Sequence, residues 1–229
     1  MSTAAAPAGD TAVPAGALFI DVVSDVVCPW CYIGKRKLEA ALARLGEEPG
    51  FAVTVRWHPY ELNPDLPVEG MPRADYLEAK FGGAAGADAI YARVRAAGAE
   101  VDIPFAFERI RLQPNTLDAH RLIAWAQERG SADALVERLF RAYFIEGRYI
   151  GAVDELVALA AEVGLSAEES RAMLATDAYR GEVGAAIREA RDAGIGGVPF
   201  FIFNGRTAVS GAHDPETLLE AMAAARAAA

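Results

Sequence analysis

Apolar and β-branched residues run continuously from Ala17 to Val23, broken only by Asp21, and this pattern predicts a buried strand. Directly after it, Ile33, Leu38, Ala41, Leu42 and Leu45 recur at helical spacing from Pro29 onward, with Gly46 as the stop. Phe51, Val53, Val55 and Trp57 alternate with Ala52, Thr54 and Arg56, so a second strand is expected there before Pro59, Pro64, Pro67 and Pro72 interrupt regular structure. From about Met71 to Gly194 the period is helical throughout. Leu135, Leu139 and Tyr143 form one row beside Val136, Phe140 and Phe144, and Leu156, Leu159, Ala160 and Val163 form another stripe. Stripes of this kind are core positions. Ser166 and Glu169 make a capping box for the helix that follows. Beyond Gly194 the period changes again, because Phe200 to Phe203 and Thr207 to Ser210 are short strand-like runs joined by Asn204-Gly205, a hairpin signal. Asp214-Pro215 opens a last helix.

The resulting order is strand, helix, strand, a long helical block, hairpin, helix, which describes an α/β protein. The two β-containing parts are too small to stand alone, so residues 17–70 and 177–229 are expected to form one discontinuous domain and residues 71–176 an inserted helical domain. Residues 1–16, mostly Ala, Pro, Gly and Thr, read as a disordered leader without the basic flank and apolar run of an export signal. The whole chain of 229 residues is 53% hydrophobic and 24% charged, the composition of a soluble globular protein. Its net charge of −10 repels phosphate backbones and anionic lipid surfaces, so neither nucleic acid nor membrane is expected as a partner. No segment approaches the roughly 18 apolar residues that span a bilayer. These features predict a cytoplasmic location.

The chemistry concentrates in Cys28-Pro29-Trp30-Cys31, which holds both cysteines of the chain. A loop this short cannot staple a protein of this size, so a structural disulfide is a poor explanation. Proline favours the first helical position, which makes Cys28 the expected N-cap, its sulfur facing unpaired amides at the positive end of the helix. Such placement can bring a cysteine pKa from about 8.5 into a range of roughly 3.5–7.5. Cys31, one turn further, would be the less exposed thiol and could close a disulfide with Cys28. Two other readings stand beside this one. The pair could be half of a zinc site, although His58, His120 and His213 show no metal-finger spacing, or both cysteines could simply be core. Trp30 can either pack or offer an apolar contact to a substrate. No paired carboxylates suggest hydrolysis, and no glycine-rich phosphate loop follows either strand.

A second feature, Gly196-Gly197-Val198-Pro199, immediately precedes the Phe200 strand. A proline there fits an edge or a turn. Taken with Cys-Pro-Trp-Cys-Tyr-Ile-Gly-Lys at 28–35, Glu-Leu-Asn-Pro at 61–64, Asn-x-x-x-Ala-His at 115–120 and Phe-Arg-Ala-Tyr-Phe-Ile-Glu-Gly at 140–147, the chain resembles the DsbA family of disulfide oxidoreductases, in particular its FrnE-like branch. The resemblance runs from about Leu18 to the C-terminal helix. It implies a thioredoxin-like fold with a large helical insertion and a cis Pro199 against the cysteine pair. It further implies that Val198-Pro199 is a substrate-binding element; Pro29 and Trp30, beside Cys28, are expected substrate contacts as well, and no cofactor or metal is expected. The position six residues before the first cysteine, acidic in thioredoxins, is Val22 here, with Asp21 and Asp25 nearby. Many relatives carry glutamine where this chain has His213, for which a proton-handling role is open.

The expected activity is dithiol-disulfide exchange with protein or small-molecule thiols and disulfides, Cys28 acting as nucleophile and Cys31 as resolving thiol. Two alternatives use the same framework. One is a glutathione-dependent isomerase or transferase of the kappa or 2-hydroxychromene-2-carboxylate isomerase type, which has serine at the active position where this chain has cysteine. The other is a polypeptide-binding holdase in which the cysteines are incidental.

Overall fold

The computed structural model describes residues 17–46 and 52–227; the leader expected over 1–16 and the strand residue Phe51 lie outside them. β1 (Ala17–Ser24) is hydrogen-bonded on both sides, which is why its sequence is so apolar. It leads into α1 (Pro29–Leu45), ended by Gly46 at φ 71°, and the chain returns as β2 (Ala52–Pro59), parallel to β1. The predicted middle contains α2 (Arg73–Phe81), α3 (Ala84–Ala99), α4 (Leu117–Gln127), α5 (Ala132–Arg141), α6 (Val153–Glu162), α7 (Ala167–Leu174) and α8 (Arg180–Asp192). Two short strands, Met71–Pro72 and Leu112–Gln113, pair antiparallel within it. The hairpin strands are Phe200–Phe203 and Thr207–Ser210, here β5 and β6 once the two short strands are counted as β3 and β4, and α9 (Pro215–Ala227) closes the chain. The main sheet has the order β2-β1-β5-β6, with β5 antiparallel to both neighbours.

The chain divides into two compact units, one running to Tyr60 and resuming at Gly184, the other Glu61–Val183. In the first unit the two faces of β1 meet different neighbours. Leu18, Ile20 and Val22 are buried at 0–1% exposure on the face toward α1. Gly34 of α1 touches Phe201, and Phe201 pairs with Val22, which identifies that face. Val23, on the other face, packs with Tyr60, Ala190 and Ile195, and Val198 and Phe200 join this cluster. α9 packs against α1, with Leu218, Met222 and Ala225 buried. β2 is an edge strand, so its apolar alternation is only partly used: Trp57 is buried while Val53 stays exposed. The turn residues Asn204 and Gly205 have φ of 49° and 66°, as their sequence suggested. Asn204 also continues the sheet. Its amide donates to the Phe19 carbonyl at 2.9 Å, and its side-chain oxygen accepts from the Phe19 amide at 2.8 Å.

In the second unit the aromatic rows are core, as their spacing implied. Phe140, Tyr143 and Phe144 are buried, and Phe144 stands edge-on to Phe105 and Phe107. The expectation of consecutive helices is incomplete, for two reasons. The β3-β4 pairing joins segments about forty residues apart, which local periodicity does not reveal. At Ala142–Glu146 the helical turn also widens to a π-turn before Gly147. Arg121, with no exposed surface, ties α4 to the end of α7: it donates to the carbonyls of Ala178 (2.8 Å), Met173 (3.3 Å) and Thr176, and pairs with Asp118 at 2.8 Å. Ser166 caps α7 by accepting from the Glu169 amide at 3.2 Å.

The one charge in β1 is held by its neighbour strand. Asp21 accepts a bidentate pair from Arg56 (2.6 and 2.7 Å) and lies 2.7 Å from His58 Nε2. Burial pushes the Asp21 carboxyl up, but the hydrogen bonds and charges of His58 and Arg56 outweigh it and hold the group below its ordinary value. A carboxyl depressed in the folded state stabilises above its unfolded pKa and ceases to do so as pH falls through the folded value. Asp21→Asn is therefore expected to lower the unfolding free energy by about 1–3 kcal/mol at pH 7. In denaturation curves taken from pH 7 downward, the gap to the parent should begin to narrow near pH 4 and close below it; a constant gap would contradict this account.

Candidate active site

The site is built at the end of β1, where the chain turns into α1. The Cys28 amide donates to the Asp25 carbonyl at 2.9 Å, and the Val27 amide reaches Asp25 Oδ1 at 3.4 Å, so Asp25 shapes the turn. Cys28 is the N-cap, extended at φ −93° and ψ 113°, with Pro29 at the first helical position. The amides of Cys31 and Tyr32 bond back to the Cys28 carbonyl. The sulfur does not follow the expected course. It caps no amide of the first turn; instead it donates to the Val198 carbonyl at 3.5 Å. The reason is chemical: a protonated thiol is a donor, and the first turn of a helix presents donors, whereas Val198 presents an acceptor.

Val198 is carried there by the loop before β5. The Val198-Pro199 bond is cis, and the Pro199 carbonyl accepts from the Gly211 amide at 2.8 Å, which pins the loop to the end of β6. Pro199 lies against α1 at Gly34, where a Cβ would meet Pro199 Cγ at 2.8 Å and the Phe201 ring at 3.2 Å. The missing side chain of Gly34 therefore allows α1 to approach β5 closely.

Both cysteines are free thiols with little exposure, 4% for Cys28 and 1% for Cys31. Their surroundings differ. Burial pushes the Cys31 thiol well up, and its bond to the adjacent Cys28 sulfur pushes it further; the Ser24 hydroxyl and the Asp25 main chain act in the opposite direction. Ser24 is itself 95% buried, and its Oγ makes no hydrogen bond among the described residues.

The structure thus brings together Cys28, Cys31, Val198 and Pro199, with Pro29 and Trp30 half-buried at the start of the helix. The histidines have other partners or places. His58 is bonded to Asp21, His120 is buried on α4, and His213 is exposed with Nε2 3.0 Å from the Ser210 carbonyl. Among the described residues no three or more His, Cys, Asp or Glu side chains gather as metal ligands. Sequence reasoning missed Gly34, Ser24 and Asp25. Two of these carried a signal: a glycine inside a helix, and a polar residue continuing the core-facing register of Leu18, Ile20 and Val22.

Residues 19–223 match the family described as DSBA-like thioredoxin domain. An uncharacterized protein of Bacillus subtilis (strain 168), YwbO, is 31% identical over 198 residues, which cover 84% of this chain and 90% of YwbO. The crystal structure of a probable DsbA oxidoreductase from Streptomyces coelicolor has a TM-score of 0.81 at 36% identity, covering 91% of this chain and 89% of that one. The cytosolic disulfide reductase DsbM from Pseudomonas aeruginosa shares the fold, with a TM-score of 0.60 at 21% identity over 91% of this chain and 95% of its own.

The contact at Gly34 makes a direct prediction. Alanine is the better helix former by about 1 kcal/mol, yet Gly34→Ala should destabilise the protein by about 1–3 kcal/mol, because its methyl has no room against Pro199. Chemical denaturation measures this. A variant as stable as the parent would show that α1 and β5 are not in the tight contact described.

Proposed function

The chain belongs to the DSBA-like thioredoxin domain family of thiol-disulfide oxidoreductases, and from that premise we propose that Cys28 is its nucleophile and Cys31 its resolving thiol. The observation that carries the reading is the unequal setting of two adjacent thiols. Cys28 sits at the start of a helix, its sulfur bonded to a main-chain carbonyl, while Cys31 is sealed behind it and held protonated. A resolving thiol needs to wait, and burial of Cys31 provides the wait.

The exchange proceeds in two displacements. The Cys28 thiolate attacks one sulfur of a substrate disulfide, that bond breaks, and the first substrate thiolate leaves and is protonated. Cys31 then loses its proton and attacks the Cys28 sulfur, releasing the second substrate thiol and leaving a Cys28-Cys31 disulfide. The reverse sequence transfers the disulfide to a substrate dithiol. Loss of the Cys28 proton also frees the Val198 carbonyl, which can then accept a hydrogen bond from an extended substrate segment. Pro29, Trp30, Val198 and Pro199 form the contact surface in this reading, and protein or small-molecule thiols and disulfides are the partners.

The motifs at 28–35, 61–64, 115–120 and 140–147 support the FrnE-like branch, and the fold shared with a cytosolic reductase supports a cytoplasmic place of action. The isomerase alternative requires serine at the active position, where this chain has Cys28.

Cys31→Ser should accumulate mixed disulfides with substrate thiols, resolved as reducible adducts on non-reducing gels or by intact mass. Cys28→Ser should accumulate none. Equal trapping by both variants, or by neither, would remove the assignment of roles.

A further inference from the structure

Ser24 has a setting that the exchange reaction explains and folding does not. It is the last residue of β1, in register with Leu18, Ile20 and Val22 on the face that α1 covers. The first three are apolar and buried at 0–1% exposure, and at the fourth place the chain puts a hydroxyl at 5%. That hydroxyl has no hydrogen-bond partner among the described residues, a costly state for a buried polar group. It lies under the first turn of α1, where Cys31, one turn before the Gly34 that meets Phe201 on this same face, is buried at 1% exposure.

We propose that Ser24 is a catalytic residue of the resolving step, its hydroxyl donating to the Cys31 sulfur when that sulfur becomes an anion. The proposal rests on the assignment of Cys31 as resolving thiol. In the step concerned, the Cys31 thiol gives up its proton and its sulfur bonds to the Cys28 sulfur. The bond between Cys28 and the substrate sulfur breaks, and the departing thiolate takes up a proton. Over both displacements two electrons pass from the cysteine pair to the substrate disulfide, which ends as two thiols, and no other redox partner takes part. The difficult species is the Cys31 thiolate, an anion with almost no contact with water. A neighbouring donor with no competing partner can turn to that anion, whereas in the resting state it meets only a weakly accepting thiol. The main chain of Asp25, the residue after β1, acts on the sulfur in the same sense.

The test uses the full reduced chain and one equivalent of Ellman's reagent in a stopped-flow instrument. Attack by Cys28 releases one nitrothiobenzoate, and attack by Cys31 releases the second. In Ser24→Ala the first release should be unchanged and the second slowed about tenfold, the low end of what a hydrogen bond to a charged group contributes. Ser24→Thr, which keeps the hydroxyl, should restore most of the rate. The thermal midpoint of reduced Ser24→Ala should equal or exceed that of the parent, because the substitution removes an unpaired buried group. A second release at the parental rate in Ser24→Ala would overturn the proposal, as would a lowered midpoint with both releases slowed together. If the parent itself releases only one equivalent, the assignment of Cys31 fails, and this proposal with it; two equal releases in parent and variant remove Ser24 alone.

Discussion

The close approach of α1 to β5 at Gly34 is the constraint on which the rest of the site depends. With no side chain at that position, the helix settles onto Pro199 and Phe201, and this seating brings the Cys28 sulfur to the Val198 carbonyl. The contact links two segments that lie about 170 residues apart in sequence. β1 holds them in place from beneath, since it supplies the turn into α1 at one end and pairs with β5 along its length. A helix held one methyl group further out would leave the cysteines at a helix start and the proline in a loop, without the juxtaposition that brings them together.

Burial then gives the two thiols different tasks. They are three residues apart on the same helix, yet one bonds outward to a main-chain acceptor and the other inward among Ser24, Asp25 and Cys28. Desolvation is the largest influence on the inner sulfur and keeps it a thiol. The Ser24 hydroxyl and the Asp25 main chain act against part of that penalty. The two sulfurs therefore differ in the partners they meet over a single helical turn, both being buried.

Polar groups elsewhere serve the framework. Asp21 is fully committed to Arg56 and His58, which explains a charge in the central strand and ties His58 to the framework. Arg121 satisfies carbonyls at the end of α7 that would be orphaned in the interior of the helical unit. Asn204 extends the ladder of β1 past the end of the hairpin strand. Each is a polar residue in a buried place with its partners supplied by a distant segment, in contrast with the hydroxyl of Ser24.

Local sequence determined a large part of this protein. The strand at 17–24, the helix from Pro29 to Gly46, the hairpin at Asn204-Gly205 and the capping box at Ser166 follow from periodicity, proline and glycine placement and side-chain caps, which act over a few residues. The pairing of Cys28 with Cys31 was legible for the same reason, and Val198-Pro199 became legible through resemblance to a family. The partner of the Cys28 sulfur, the use of Gly34 as a contact surface, the pairing of Met71–Pro72 with Leu112–Gln113 and the open edge of β2 came only with the tertiary structure. These depend on which remote segment arrives at a given face, and hydrogen bonding and desolvation are decided by that neighbour, whatever the residue type alone would suggest.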